Sequence, residues 1–170
     1  MDLARFIRDV PDFPKKGILF KDITPLLKNP AAFEESISRM AEPYYESGVT
    51  DVVGIESRGF IFGAALAIEL GVGFIPIRKP GKLPCITSRE EYKLEYGSDA
   101  IELHSDAINQ HSNVVICDDL LATGGTAEAA IKLVSSLGAN VVGITFLIEL
   151  EFLNGREKMG EVPVYSVLRF

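Results

Sequence analysis

Residues 114–126 place two adjacent acids and a loop of small residues after an apolar run, in the order Val-Val-Ile-Cys-Asp-Asp-Leu-Leu-Ala-Thr-Gly-Gly-Thr. The apolar residues from Val114 to Cys117 predict a strand buried on both faces, and Asp118 and Asp119 end it. Ionised carboxylates only accept hydrogen bonds, which suits the two hydroxyls of a ribose or the water shell of Mg²⁺. Uncompensated acids beside an apolar strand are costly, so these two carboxylates indicate a binding site.

The residues that follow form a candidate phosphate-binding loop, which consists of Ala122, Thr123, Gly124, Gly125 and Thr126. The two glycines let the backbone approach a ligand closely and adopt positive φ. Thr126 is expected to open an amphipathic helix, whose free N–H groups and dipole favour a phosphate. The pattern is not a Walker A loop. Taken alone, the loop is also explained by a tight turn capped by threonine, with the acids merely solvated.

A second strand, polar turn and helix follow one another in residues 51–70, with Glu56, Ser57 and Arg58 in the turn. The segment from Phe60 to Leu70 is apolar nearly all round and predicts a buried helix. Arg58 at the helix start can bind phosphate oxygens through two donors. A surface ion pair with Glu56 or another acid explains Arg58 equally well, and the residues alone leave both possibilities open.

Residues 78–99 are rich in charged and turn-forming residues, with a local concentration of positive charge at Arg78, Lys79 and Lys82. A long polar insertion between core strands is usually either functional or disordered. It predicts a lid that excludes water from a reactive centre, or a solvated hairpin. A hairpin that moves would satisfy both interpretations.

The N-terminal part of the chain contains an aromatic side chain in a short polar segment. Residues 2–10 have apolar side chains at helical spacing and predict a short amphipathic helix. Leu19, Phe20 and Lys21 lie in a predicted irregular or edge strand. The Phe20 ring could cover a flat ligand, and a routine edge contact is the alternative.

Composition excludes several classes of protein. The net charge of −7 and the pI near 4.9 argue against nucleic acid or an anionic membrane as a main partner. No apolar run reaches membrane-spanning length. Cys85 and Cys117 are too few for a metal cluster or a disulfide framework, so we expect a reducing, cytoplasmic setting.

The order of these elements predicts an α/β fold with a mostly parallel twisted sheet and helices on both faces. Ligand loops are then expected at the carboxyl ends of the strands. A length of 170 residues fits one domain with a sizeable core.

Residues 114–126 resemble the phosphoribosyl pyrophosphate (PRPP) signature of the type I phosphoribosyltransferases: an apolar run, two acids, two variable residues and a Thr-Gly-Gly-Thr-like loop. The resemblance extends over nearly the whole chain, and its details resemble the family members that use adenine. The other matching segments are Ile18-Leu-Phe-Lys-Asp-Ile-Thr-Pro-Leu-Leu27, Glu56-Ser-Arg-Gly-Phe-Ile-Phe-Gly63, Arg78-Lys-Pro-Gly-Lys-Leu-Pro84 and Tyr92-Lys-Leu-Glu-Tyr-Gly97.

This resemblance implies the fold of the family in a single domain over residues 1–170. Residues 1–28 would form an N-terminal helix and a base-binding hood, and residues 81–99 a flexible catalytic loop. The implied reaction transfers the phosphoribosyl group of PRPP to adenine and yields AMP and pyrophosphate. Mg²⁺ would be the cofactor, and family members usually form homodimers.

The resemblance also implies roles for individual residues. Asp118 and Asp119 would hold the ribose hydroxyls, near a Mg²⁺ bound mainly through PRPP and water, while residues 122–126 would bind the 5′-phosphate. The residues implied for pyrophosphate are Glu56, Ser57, Arg58, Arg78, Lys79 and Lys82. Those implied for the adenine hood are Leu19, Phe20 and Lys21, and the catalytic residues would be Glu95, Tyr96 and Arg58.

Two kinds of alternative remain beside this interpretation. An enzyme of the same fold could use hypoxanthine, guanine, xanthine or orotate. In addition, Lys21 stands where many relatives have arginine, and lysine cannot reproduce the planar contacts that arginine makes. A PRPP-sensing regulator without catalysis would be expected to have a DNA-binding domain or a basic face. The chain has neither spare length nor basic charge for these.

Overall fold

The computed structural model describes residues 1–93 and 97–170, which form a central parallel sheet of five strands and two small antiparallel pairs. The strands are β1 (Arg8–Pro11), β2 (Leu19–Asp22), β3 (Asp51–Ile55), β4 (Gly73–Ile77), β5 (Thr87–Lys93), β6 (Ser98–His104), β7 (Asn113–Leu121), β8 (Asn140–Glu149) and β9 (Val164–Arg169). The α-helices are α1 (Thr24–Lys28), α2 (Pro30–Ala41), α3 (Gly59–Leu70) and α4 (Gly125–Ser136).

The central sheet has the strand order β4-β3-β7-β8-β9, and all neighbouring strands are parallel. β3 and β7 are adjacent, with Gly54 opposite Cys117. The chain leaves β3 toward one edge of the sheet and leaves β7 toward the other. Such a reversal opens a crevice at the carboxyl ends of the two strands, where ligands bind in folds of this kind. The predicted parallel α/β sheet is confirmed.

Two apolar cores cover the two faces of this sheet, as predicted. Phe62 of α3 lies in one core, together with buried residues of α2, and Leu133 of α4 lies in the other. Because successive side chains of a strand point to opposite faces, Val52 of β3 belongs to the first core and Val53 to the second. The helices that follow β3 and β7 are therefore fixed on opposite sides of the crevice.

The predicted helix over residues 2–10 is wrong. Residues Leu3–Phe6 form a single 3-10 turn, and the next residues form β1, which pairs antiparallel with β2. A helix this short is unstable alone, whereas strand pairing satisfies the backbone groups of β1 and β2 together. This hairpin is the structural unit that holds Phe20.

The central motif also differs in detail from its prediction. β7 continues to Leu121, so Asp118 and Asp119 lie inside a strand and not after its end, because pairing with β8 persists there. α4 begins at Gly125, one residue before the predicted start. Gly124 caps this helix with a φ of 79°, a left-handed conformation that glycine adopts readily.

Two further predictions have mixed outcomes. The polar insertion contains the antiparallel pair β5–β6, so its interpretation as a hairpin is confirmed. α3 is buried on one face only, because Ile61 and Ile68 of this single chain are exposed, the latter to 84%.

Within the described parts of the chain, no helix is long and apolar enough to cross a membrane.

Candidate active site

The polar turn after β3 and the acids of β7 meet at one cavity of about 230 Å³. Its lining residues are Ile55, Glu56, Ser57, Arg58, Lys79, Asp118, Asp119, Leu120 and Thr126. The adjacency of β3 and β7 in the sheet explains this convergence of distant segments. The structure thus brings together members of three predicted groups: the acids, the phosphate loop and the pyrophosphate turn.

Arg58 and Asp119 form an ion pair at this cavity, with 3.0 Å between Nε and Oδ2. Asp119 is 5% exposed, whereas the Arg58 side chain is partly open to solvent. Arg58 therefore does pair with an acid, as the alternative interpretation held, but the acid is one of the two predicted to bind the ribose. The guanidinium remains at the cavity, where a ligand can reach it.

Both acids have perturbed protonation. Burial raises the pKa of Asp118, and the neighbouring charge of Asp119 adds to the effect. Burial also raises the pKa of Asp119, and the Arg58 cation offsets part of this rise. The backbone N–H of Asp119 donates to Oδ1 of Asp118 at 2.9 Å. Two neighbouring acids with raised pKa values in a cleft are typical of a functional site, because a ligand or a cation bound there stabilises both charges.

Phe20 of the hood strand β2 packs against Arg58, which lines the cavity. The Cζ atom of Arg58 lies 5.3 Å from the centroid of the Phe20 ring, and Phe13 packs edge-on against that ring at 5.1 Å. Phe20 and the pyrophosphate turn are therefore in contact. A flat ligand placed against Phe20 would lie beside Arg58, which is paired with Asp119.

Lys21 points elsewhere, since neighbouring side chains of a strand alternate in direction. Its Nζ atom lies 2.7 Å from Oδ1 of Asp9 and 3.9 Å from the centroid of the Phe170 ring. The Lys21 side chain thus fastens the hood to the C-terminal residue. Where an arginine could stack its planar guanidinium on a ring, Lys21 places its ammonium group over the ring of Phe170. Leu19 is exposed at the outer end of the same strand.

Glu56 gathers the cations that were predicted for pyrophosphate. It accepts a hydrogen bond from the backbone N–H of Lys79 at 2.9 Å, pairs with Lys82, and has Nε of Arg78 at 3.4 Å. Burial would raise the pKa of Glu56, but Lys82, the Lys79 amide and Arg78 together lower it to about 2. Glu56 is therefore ionised at neutral pH, and its carboxylate holds Arg78 and Lys82 beside the cavity.

The Lys79 side chain is bound by the hairpin. Its ammonium group pairs with Asp99 and lies 3.0 Å from the Tyr92 hydroxyl, which in turn accepts from Oγ1 of Thr126 at 3.4 Å. Tyr92 and Asp99 are opposite each other in the β5–β6 register. These contacts connect the hairpin to the phosphate loop. Tyr92 and Asp99 lie in the predicted lid, but no pattern of residues in the sequence indicates these contacts.

The predicted phosphate loop surrounds a smaller cavity of about 100 Å³. Residues 122–126 all line it, together with Asp118 and the first residue of α4 after the loop, Ala127. Thr123 is exposed there and Gly124 is buried. The start of a twelve-residue helix directs free backbone N–H groups and the positive dipole end toward this space, which suits a phosphate. Glu95 and Tyr96 lie outside the described residues.

The carboxylates at this site fit a cation that is held only partly by protein. Among residues 1–93 and 97–170, no three His, Cys, Asp or Glu side chains lie together as a metal site. Asp118 and Asp119 line the cavity together, whereas Glu56, the third acid in its lining, is paired with Arg78 and Lys82. Mg²⁺ is commonly bound by one or two carboxylates plus substrate phosphates and water, so this donor set fits Mg²⁺ that arrives with a phosphorylated ligand.

Comparison with known proteins agrees with this geometry. Residues 23–167 match the family described as phosphoribosyl transferase domain. An adenine phosphoribosyltransferase of Thermotoga sp. (strain RQ2) is 57% identical over 168 residues, covering 99% of each chain. The crystal structure of the enzyme of that name from Thermoanaerobacter pseudethanolicus superposes with a TM-score of 0.96 at 53% identity, covering 99% of this chain and 98% of the other.

A third similar protein was crystallised with ligands. The adenine phosphoribosyltransferase of Saccharomyces cerevisiae, in complex with an imino-altritol bisphosphate and adenine, has a TM-score of 0.92 at 45% identity. The match covers 98% of this chain and 96% of the other. The similarity therefore spans the whole fold, including the hood and both loops at the cavity.

Proposed function

This chain belongs to the phosphoribosyl transferase domain family, and from that premise we propose how its residues share the work of one reaction. The chain transfers the 5-phosphoribosyl group of PRPP to adenine, which yields AMP and pyrophosphate and is the adenine phosphoribosyltransferase activity of purine salvage. The observation that carries the assignment of roles is the single cavity at which Arg58, Asp119 and Thr126 converge.

We assign the ribose 5-phosphate half of PRPP to β7 and the loop after it. Asp118 and Asp119 accept hydrogen bonds from the two ribose hydroxyls, because ionised carboxylates accept bonds and the raised pKa values are relieved by such partners. Residues 122–126 hold the 5′-phosphate with backbone N–H groups and the threonine hydroxyls. The 100 Å³ cavity inside this loop supports the assignment.

We assign the pyrophosphate half to the turn after β3 and to the cations around it. Residues 56–58 form the turn, and Arg58, Arg78 and Lys82 are each paired with a carboxylate. Lys79 is likewise paired, with Asp99. On binding, the pyrophosphate oxygens replace these carboxylates as partners of the cations. The carboxylates thus hold the cations near the site, and no cation has to be buried without a partner.

The adenine half of the site lies under the hood. The Phe20 ring stacks on the purine, the backbone of Leu19 reads the purine edge, and Lys21 holds the strand in place. Glu95 and Tyr96, which are outside the described residues, cover the reacting centre, and Glu95 hydrogen-bonds the imidazole side of the purine. The contact between Phe20 and Arg58 supports this assignment, since it places the base next to the bond that breaks.

The reaction places positive charge on the sugar as pyrophosphate leaves the anomeric carbon. The carboxylates of Asp118 and Asp119 lie on the sugar and favour that charge, while Arg58 and backbone donors stabilise the departing anion. Adenine N9 attacks the opposite face of the sugar as the bond from the anomeric carbon to the pyrophosphate oxygen breaks, and the ring proton of adenine leaves to the departing pyrophosphate or to solvent. Mg²⁺ bound to PRPP would neutralise part of the pyrophosphate charge, and Asp118 and Asp119 would be the protein groups near it. The hairpin around residues 81–99 excludes water from the centre.

We further propose a single domain over residues 1–170 that works as a homodimer in the cytoplasm. The exposed Ile61 and Ile68 of α3 support the dimer, because an apolar helix face of this kind is usually covered in the working assembly. In such a dimer, Arg78 or Lys79 can reach the pyrophosphate of the neighbouring subunit. The free thiols of Cys85 and Cys117 suit a reducing compartment.

The reverse reaction tests this function. AMP and pyrophosphate are incubated with the protein and Mg²⁺, and free adenine is measured by chromatography. We expect adenine from the native protein and none from an Asp118→Asn plus Asp119→Asn variant. The exposed Asp106→Asn change is the matched control and is expected to leave adenine formation intact. A native protein that releases no adenine would contradict the proposal.

A further inference from the structure

Gly155 lies directly behind the phosphate loop. It is buried, and it begins the 3-10 helix Gly155–Met159. A Cβ atom built on Gly155 would overlap the carbonyl oxygen of Ala122 and lie 3.0 Å from the amide nitrogen of Gly124. In the other direction, a Cβ atom on Gly124 would overlap the carbonyl oxygen of Gly155. The two backbones are thus in contact, and neither glycine has room for a side chain.

The backbone conformation of Gly155 does not itself require glycine. Positive φ angles occur at other glycines, such as Gly124 and Gly160, but Gly155 has none. An alanine could adopt the same φ and ψ without strain. The need for glycine at this position therefore comes from the contact with the loop.

A partly buried ion pair between Glu149 and Arg156, the residue after Gly155, fixes the position of Gly155. Nε and Nη2 of Arg156 donate to the two carboxylate oxygens of Glu149 at 2.9 and 2.5 Å, and Nη1 donates to the carbonyl of Val164 at 2.8 Å. Glu149 is 5% exposed, and the Arg156 hydrogen bonds lower its pKa. Planar, two-point pairing of this kind sets orientation as well as charge.

The same pair is tied to the strand that leads into the loop. Glu149 is the last residue of β8 and is opposite Leu121, the last residue of β7. The N–H of the next residue, Leu150, donates to the carbonyl of Leu121 at 2.9 Å. The loop is therefore held at its beginning by pairing with β8 and on one side by contact with Gly155. Glu149 takes part in both, since it ends β8 and binds Arg156, the residue after Gly155.

We propose that Gly155, held by the Glu149–Arg156 pair, is a positioning residue that sets the backbone of residues 122–124 for the 5′-phosphate. The inference rests on the proposed function only in taking this loop as the phosphate site. Backbone donors act on a phosphate only when their N–H groups point at its oxygens. A side chain at position 155 would push the loop toward the ligand, and a misplacement of about 1 Å can cost about 10²-fold in an enzyme.

Calorimetric titration of the whole protein with two probes, ribose 5-phosphate and magnesium pyrophosphate, tests this inference. In Gly155→Ala we expect the affinity for ribose 5-phosphate to fall about 10- to 100-fold, while the affinity for pyrophosphate stays unchanged. Equal loss for both probes, or loss for neither, would overturn the inference. Gly48→Ala is the control: unlike Gly155, Gly48 has no atom within 4 Å of an added Cβ, and its φ is 70°, so the variant carries backbone strain without a contact.

Arg156→Lys keeps the inference testable if Gly155→Ala does not fold. Lysine keeps the charge and loses the two-point contact, so we expect a smaller loss confined to ribose 5-phosphate, about 3- to 10-fold. Unchanged ribose 5-phosphate binding in a folded Arg156→Lys protein would contradict the role of the ion pair. These readouts do not depend on turnover. A native protein that binds both probes without forming AMP would refute the proposed function and leave this inference standing.

Discussion

Arg58, in the turn after β3, and Asp119, in the neighbouring strand β7, form an ion pair at the cavity, with 3.0 Å between Nε and Oδ2. The same guanidinium lies over the ring of Phe20. Arg58, which we assign to the pyrophosphate, thus contacts Asp119, assigned to the sugar, and Phe20, assigned to the base. This arrangement lets a single binding event exchange the partner of Arg58 and leave Asp119 free for the ribose.

The first prediction concerns the shape of that cation. Arg58→Lys keeps the charge but loses the planar donors and most of the contact with Phe20. We expect kcat/KM for PRPP to fall about 10- to 100-fold, the cost of losing one or two hydrogen bonds to a charged group. Steady-state kinetics measure it. Arg89→Lys, an exposed arginine in the hairpin, is the control, and equal kinetics in both variants would refute the role of Arg58.

Stacking by the hood gives the second prediction. Phe20→Leu removes the aromatic face, and base–aromatic stacking is worth about 1–3 kcal/mol per base. The KM for adenine should rise about 5- to 150-fold, with the KM for PRPP nearly unchanged. Phe152→Leu replaces an aromatic residue that is 72% exposed and serves as the matched control. A Phe20→Leu protein with normal KM for adenine would place the base elsewhere.

The third prediction uses the pH dependence of stability. The pKa of Glu56 is about 2 in the folded protein, against an ordinary value of 4.5. The unfolded chain therefore takes up this proton at higher pH than the folded chain. The stabilisation from Glu56 is present above pH 4.5 and is lost as the pH falls from 4.5 toward 2.

Urea denaturation of native protein and Glu56→Gln at several pH values measures that effect. The difference in free energy of unfolding between the two proteins should be largest above about pH 5 and shrink toward pH 2. Acids elsewhere titrate alike in both proteins and cancel in the comparison. A difference independent of pH would show that Glu56 is not held as an anion by Arg78 and Lys82.

The fourth prediction addresses Glu95, which lies outside the described residues. Glu95→Gln keeps the size of the side chain and removes its charge, so a carboxylate that accepts from the purine loses its function. We expect kcat to fall at least about tenfold. Glu91→Gln, at an exposed position of β5, is the control. Undiminished turnover in Glu95→Gln would remove Glu95 from the mechanism.

The sequence was sufficient for the parts of the site that lie on contiguous motifs. Residues 114–126 and 56–58 each combine a strand, a polar turn and a helix start, and parallel strands bring such turns to one edge of a sheet. Their convergence at one cavity follows from that topology. The resemblance added the hood, and the contact between Phe20 and Arg58 agrees with it.

Contacts between distant segments were not predictable in the same way. Nothing in the residue types near Gly155 indicates that its backbone would touch the phosphate loop, because its conformation is ordinary. Lys21 packs on Phe170 at the other end of the chain. The failed helix over residues 2–10 has a related cause, since pairing with β2 outweighs the local preference.

The most direct test of the central claim is product formation from PRPP and Mg²⁺, with adenine, hypoxanthine, guanine, xanthine and orotate each offered separately and the products separated by chromatography. The account predicts AMP from adenine and no nucleotide from the other bases. A nucleotide from another base would contradict the assignment of the hood. No product from any base, with PRPP still bound, would show a PRPP-binding regulator and contradict the function proposed for this cavity.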